Sequence, residues 1–346
     1  MVMHTIAVIG ATGNVGREML RILAERNFPI KQIIALASER SVGKEIAFGN
    51  DKVLKVQNLA TFDFTGVDLA LSSPGAAVSA RYTPKATMCG CIVIDNTSHF
   101  RMESDVPLVV PEVNPQAIAH YRKRNIIANP NCSTIQMVVA LQPLHNAFKI
   151  KRVIVSTYQS TSGAGKKAMD ELSHQSSLLM KEHIKESSSQ RKFAKQIAFN
   201  LIPHIDSFME DGATREEWKM AMETRKILDS SIAVHANCCR VPTFIGHAEY
   251  INIETERPLS VADARNVLAR APGVMVIDSD TLPTARDYMT PVESTGTDFV
   301  YVSRLRLDHT IDHGLSFWCV ADNLRKGAAL NAIQIAEILV RNYTYT

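Results

Sequence analysis

Cys132 is the residue whose setting most suggests chemistry. It follows the turn Asn129-Pro130-Asn131, and Val138, Val139, Leu141 and Leu144 beyond it carry apolar side chains at helical spacing. A cysteine in the first turn of a helix meets unpaired backbone N–H groups and the positive end of the helix dipole, and both favour a thiolate. The same N–H groups suit the oxyanion of a carbonyl bound to the sulfur. The alternative is a buried structural cysteine that happens to follow a turn. Other chemical patterns are weaker. His309 and His313 have the i,i+4 spacing of metal ligands but fall between two strands beside Gly314, and the adjacent Cys238 and Cys239 point to opposite faces of an extended stretch. No metal is expected. Gly165-Lys166 invites a P-loop reading, but that motif requires a glycine at 160 and a Ser or Thr at 167, where the chain has Ser160 and Lys167.

The elements before Cys132 read as a nucleotide-binding unit. The apolar run at 5–9 is a buried parallel strand, the glycines Gly10, Gly13 and Gly16 form a turn, and 17–23 is a helix. Such a turn lets the backbone approach a pyrophosphate held at the helix N-terminus. The spacing is GxxGxxG rather than GxGxxG, a variant of the fingerprint. A second strand at 32–37 ends in Ser38, Glu39, Arg40 and Ser41. A carboxylate there holds the ribose 2′-OH of NAD, whereas an arginine accommodates a 2′-phosphate. Arg40 between Ser38 and Ser41 therefore favours NADP, and Glu39 leaves NAD as the alternative. Strands at 67–71, 91–95 and 126–128 continue the sheet. Small residues at 72–79 suit close passage of a cofactor or any tight turn. Arg101 follows a strand's carboxyl end, where doubly wound sheets bind ligands. The first domain closes near residue 130.

Beyond the cysteine, 152–158 alternates like a strand. Residues 166–220 are polar and helical or loop-like, with the serine run 187–189 as the expected flexible point. Thr214 is placed as a helix N-cap with Glu217 at the third helical position. Lys219, taken alone, is a solvated helix residue. The extended stretch at 234–242 and strands at 248–253, 299–307 and 315–320 give the second domain an antiparallel or mixed sheet. The closing segment 327–339 has a broad apolar face at helical period and suits either domain.

Composition narrows the class. A length of 346 residues favours two domains, and 46% hydrophobic with 21% charged residues is ordinary for a soluble protein. A net charge of +3 with no basic run interleaved with aromatics gives no nucleic-acid groove. No apolar run approaches the ~20 residues of a membrane span, and the first residues lack a secretion signal. The 6 cysteines, at 89, 91, 132, 238, 239 and 319, are too few and clustered for a disulfide scaffold, so a reduced, cytoplasmic setting is expected.

Eight motifs in order, GATGNVG, DNTSHFRM, VPEVNP, NPNCSTIQ, YQSTSGAG, EEWKM, RVPTFIGHAE and DNLRKGAALNAIQIAE, span nearly the whole chain. Together they closely resemble the bacterial aspartate-β-semialdehyde dehydrogenases. The resemblance implies a Rossmann-type, doubly wound NADP-binding domain at 1–130, completed by the closing helix 327–346. It implies an α+β catalytic and dimerisation domain with a mixed sheet at 131–326, usually joined into homodimers or tetramers. By the same resemblance Cys132 forms the acyl-enzyme, His247 is the acid–base residue and Gln159 positions the substrate. Arg240 takes the substrate carboxylate, with Asn131 also on the substrate side. Arg101 and Lys219 bind phosphate, and Glu216 is the carboxylate beside that lysine. Gly10, Thr12, Gly13, Asn14, Val15, Ser38, Arg40, Ser41, Ser162, Gly163 and Asn323 fall on the cofactor positions, with NADP(H) as the implied cofactor. The implied reaction is reversible reduction of L-β-aspartyl phosphate to the semialdehyde with release of inorganic phosphate, in lysine and diaminopimelate, threonine and methionine biosynthesis. N-acetyl-glutamyl-phosphate reductase is the nearest rival, and a silent NADP-binding homologue is the rival from another class. A thiol hydrolase using Cys132 and His247 alone leaves the cofactor site unexplained. The sequence departs from the family at Thr97-Ser98-His99, near Arg101, and at Cys239, read as a bystander.

Overall fold

Residues 6–9 of the first strand are an uninterrupted run of Ile, Ala and Val because both of its faces are covered. The computed structural model describes residues 2–50, 52–181, 192–279, 284 and 286–343. The serine run 187–189 lies outside them. The chain divides into two compact units, Met1–Asn131 with Ala328–Thr346, and Cys132–Gly327.

The first unit contains β1 (His4–Ile9), α1 (Asn14–Glu25), β2 (Ile30–Ala37), β3 (Glu45–Phe48), β4 (Lys52–Lys55), β5 (Gln57–Asn58), β6 (Leu69–Ser72), α2 (Ala76–Met88), β7 (Ile92–Asp95) and β8 (Ile126–Ala128). Six strands form a parallel sheet in the order β5-β2-β1-β6-β7-β8. Strand alternation sends Ile6 and Val8 to one face, against Leu20 and Leu23 of α1 and Ile333, Ala336 and Leu339 of the closing helix Leu330–Asn342. Ala7 and Ile9 face the other way, onto Leu59, Phe64 and Ala86. This is the expected doubly wound sheet. Strand order reverses at β1, which lies between β2 and β6, and ligands bind at such switch points in open α/β sheets. There the loops after β1 and β6 meet. A Cβ on Gly10, which has φ +83°, would lie 2.9 Å from the Ser73 carbonyl carbon. Only glycine takes that conformation in that space.

The second unit contains α3 (Cys132–Phe148), β9 (Ile150–Gln159), α4 (Lys166–Met180), α5 (Arg215–Ile227), β10 (Ala233–Arg240), β11 (His247–Thr255), α6 (Val261–Ala269), β12 (Val274–Val276), α7 (Pro291–Ser294), β13 (Val300–Asp308) and β14 (Gly314–Ala321). Its sheet has the order β10-β9-β11-β14-β13-β12. It is mixed: β9 pairs with β10 and β12 with β13 in parallel, and the other neighbours are antiparallel. Positions 133–141 of α3 are all buried, and the helix packs with α5, α6 and the sheet. The expected capping box is present at α5, where Thr214 Oγ1 accepts from the Glu217 N–H and Glu217 accepts from the Thr214 N–H. Sequence reading passed over the β3–β4 hairpin, β12 and α6. The hairpin is mostly exposed and β12 has only three residues, so neither shows clear alternation.

Candidate active site

The site side chains of the second unit converge because of how three strands end. Parallel β9 and β10 finish side by side, with Gln159 in register with Arg240. Antiparallel β11 starts at the same end, with His247 one residue before the Ala248–Tyr158 pair. Gln159, Arg240 and His247 therefore leave adjacent strands at one edge, and all three are buried.

His247 is fully buried, and its ring has a defined polarity. Nδ1 lies 3.1 Å from the Ser160 N–H, which donates to it, and 3.0 Å from Ser160 Oγ. A ring nitrogen that accepts a backbone N–H carries no proton, so the neutral ring holds its proton on Nε2. Nε2 has no hydrogen-bond partner among the described residues. Burial, and then the Arg240 charge, pull the imidazole pKa down to about 3, so the ring is neutral near pH 7. Arg240 donates from Nη1 to the Ser160 carbonyl at 2.7 Å, so one residue's backbone holds both groups. A Cβ on Gly163 would sit 3.0 Å from both Arg240 Nη1 and His247 Nε2, and glycine leaves that space open.

Asn323 ties the layer together. Its Oδ1 accepts from the Gly246 N–H at 2.9 Å and from the hydroxyls of Ser162 and Ser160 at 3.1 and 3.2 Å. Gly246, at φ +91°, precedes His247, and a Cβ there would lie 2.6 Å from the Pro291 carbonyl oxygen. The sequence gives Ser160 no site role, because its contacts to His247 and Arg240 run largely through its backbone and join residues far apart in the chain.

A polar chain leads outward from Gln159. Its Nε2 donates to Glu216 Oε1 at 3.1 Å, and Lys219 Nζ donates to Glu216 Oε2 at 3.1 Å and to Asp206 Oδ2 at 2.6 Å. Lys219 is thus no solvated helix residue, since its side chain is only 13% exposed. Burial lowers the pKa of this lysine, but the two carboxylates outweigh it and the net shift is upward, so Lys219 is a cation. Asp206 lies in a loop outside α5, and nothing local in the sequence marks it as a partner.

Cys132 is the first residue of α3 and is partly exposed. A Cβ on Gly327 would come within 3.0 Å of Cys132 Cβ, so glycine gives the cysteine its place. Asn131, just before it, is buried. Cys238 is buried, and desolvation pushes its thiol well above the usual range. Cys239 is partly exposed, and burial raises it as well.

The remaining site candidates belong to the first unit. Asn14 opens α1 with Gly13 as N-cap, and neither a capping side chain nor an acidic residue occupies that turn. The turn runs through Thr12 to Val15. A Cβ on Gly16 would lie 2.3 Å from the Gly10 carbonyl oxygen, so the loop closes only around glycine. A helix N-terminus without an acidic side chain and a close backbone path suit a dinucleotide pyrophosphate. At the end of β2, Ser38 and Arg40 are exposed and Ser41 is buried. Arg101 is held by two backbone carbonyls.

Residues 5–121 match the family model described as semialdehyde dehydrogenase, NAD binding domain, and residues 141–326 match its dimerisation domain. The chain is 52% identical over 340 residues to the aspartate-semialdehyde dehydrogenase of Aquifex aeolicus, covering 98% of each chain. The chain belongs to the aspartate-semialdehyde dehydrogenase family. A Vibrio cholerae relative, aspartate-semialdehyde dehydrogenase 2, is 51% identical with the same coverage. The structure of the Vibrio cholerae aspartate semialdehyde dehydrogenase II complexed with ASA has a TM-score of 0.93 at 50% identity, over 99% of this chain and 100% of that one. The Candida albicans aspartate semialdehyde dehydrogenase with NADP has a TM-score of 0.74 at 26% identity, over 98% of this chain and 99% of that one. The chain thus carries an aspartate-semialdehyde dehydrogenase fold with a nicotinamide dinucleotide-binding domain. No helix among the described residues is long and apolar enough to cross a membrane.

Proposed function

We propose that the chain catalyses the reversible, NADPH-dependent reduction of L-β-aspartyl phosphate to L-aspartate-β-semialdehyde through a thioester on Cys132. The carrying observation is the edge where Gln159, Arg240 and His247, whose Nε2 has no hydrogen-bond partner among the described residues, come together in the unit headed by Cys132. In the reductive direction the Cys132 thiolate attacks the acyl carbon, the carbon–oxygen bond to phosphate breaks, and inorganic phosphate leaves with that electron pair. Arg101 and Lys219 hold the phosphate, one as a planar fork and the other as a point charge. Arg240 pairs with the substrate α-carboxylate, and Gln159, braced by Glu216, orients the acyl group. When bound, the nicotinamide cofactor supplies the hydride that reduces the thioester carbon. His247 donates a hydrogen bond from Nε2–H to the resulting oxyanion. It need not surrender the proton, because the oxyanion collapses by expelling the Cys132 thiolate. Gly10 to Val15, Ser162, Gly163 and Asn323 are the residues assigned to hold the cofactor. Self-association through the second unit, lysine, threonine and methionine biosynthesis, and a cytoplasmic location complete the reading.

The test is phosphate-dependent reduction of NADP, followed at the nicotinamide absorbance. L-aspartate-β-semialdehyde is expected to turn over, and N-acetyl-glutamate semialdehyde is not. Turnover of the acetylated aldehyde alone would replace the substrate assignment. Silence with both, in protein that binds NADPH, would support the non-catalytic reading.

NADP is favoured over NAD because Arg40 is exposed at the end of β2 with Ser38 and Ser41 beside it. Arg40→Ala is expected to raise the KM for NADP about tenfold while leaving that for NAD within about twofold, since one charge-assisted contact to the 2′-phosphate is lost. Equal changes for both cofactors would remove Arg40 from the selection.

A further inference from the structure

Arg101 is only 7% exposed, and backbone carbonyls seat its guanidinium. Nε donates to the Asn129 carbonyl at 2.9 Å and Nη2 to the Asn96 carbonyl at 3.0 Å. Asn129 is fully buried, and its N–H donates to the Asp95 carbonyl at 2.8 Å. Its side-chain nitrogen donates to Asn96 Oδ1 at 2.5 Å and to the Ala328 carbonyl at 3.3 Å. Its side-chain oxygen accepts from Asn331 Nδ2 at 2.7 Å, and the same nitrogen of Asn331 donates to the Val109 carbonyl at 3.1 Å.

Each amide nitrogen therefore donates to two acceptors, which fixes both orientations. Flipping Asn331 would set its oxygen against two oxygens. Asn331 is fully buried in the closing helix, where the flanking residues Leu330, Ala332, Ile333, Ile335 and Ala336 are buried and apolar, so an apolar residue would suit its position too. A buried amide is tolerated there only when its bonds are made, so its presence points to a specific task.

We propose that Asn331 is a positioning residue for Arg101: by orienting Asn129 it fixes the guanidinium plane, and the closing helix thereby becomes part of the phosphate site. The inference rests on the assignment of Arg101 to phosphate. Fork-like recognition of phosphate depends on the plane of the guanidinium, so a tilt of its seat forfeits one of two parallel bonds without removing the charge.

The experiment varies inorganic phosphate at saturating L-aspartate-β-semialdehyde and NADP in the full-length protein. It compares Asn331→Ser, Asn331→Asp, Arg101→Ala and the double variant Asn331→Ser/Arg101→Ala, with melting midpoints confirming the fold. Both Asn331 variants are expected to raise the phosphate KM about tenfold, with kcat and the KM for NADP within about threefold. Asn331→Ser should add nothing further once Arg101 is gone, because groups acting through one another are not additive. An Asn331→Ser effect that persists in the Arg101→Ala background would overturn the proposal, as would a uniform loss across kcat and every KM. Should Asn331→Asp fail to fold, the serine variant and its double mutant decide alone. If Arg101→Ala leaves the phosphate KM unchanged, the assignment of Arg101 fails and the inference with it. If Arg101→Ala raises it and the Asn331 variants do not, only the inference fails.

Discussion

Cys132→Ala is expected to cut turnover by about 10⁴-fold or more while leaving NADPH affinity within about threefold, because no other side chain is assigned to carry the acyl group. The substitution removes only the sulfur from a position already narrowed by Gly327, so it crowds nothing and the fold should hold. Single-turnover mixing of the parent protein with L-aspartate-β-semialdehyde and NADP, without phosphate, should leave an aspartyl adduct on the peptide bearing Cys132. Residual turnover above about one hundredth of the parent, or an adduct elsewhere, would sink covalent catalysis by this residue.

His247→Ala should lower kcat by about 10² to 10³-fold with a small change in the KM for NADP, the range seen when one oxyanion donor is lost. His247→Gln keeps a donor and should recover part of that loss. The ring also predicts a pH signature. Burial first, and the Arg240 charge second, hold it down to about 3, whereas an unfolded histidine titrates near 6.5. Between those values the unfolded chain binds a proton that the folded chain does not. The contribution of this group to stability is thus fully present above about pH 6.5 and is lost as the pH falls toward 3, at up to about 1.4 kcal/mol per pH unit. Urea unfolding across that window should show a shallower pH slope for His247→Gln. An unchanged slope would mean that the imidazole is not buried neutral.

Local signals were the legible ones. The start of the helix headed by Cys132 and the Thr214–Glu217 capping box stand where the sequence placed them, and the glycine turn is present but shorter, since the helix begins at Asn14 and already contains Gly16. The family resemblance, carried by ordered motifs, agrees with relatives about half identical over the whole chain. Lys219 shows the limit of that reading. One of its partners, Glu216, is a turn away on the same helix, but Asp206 comes from a loop and is invisible to any helical period.

By itself the sequence determined the fold class, a doubly wound parallel sheet followed by a second sheet of mixed type, because strand and helix periods and glycine turns are properties of short segments. Only the tertiary structure decided that Gln159, Arg240 and His247 share one sheet edge, since that depends on which strands pair and in which direction. It also decided the tautomer of His247, through the Ser160 backbone, and the seat of Arg101, through asparagines from separate segments of the chain. Such hydrogen bonds link residues far apart in sequence and carry no period, so chain order alone does not reveal them.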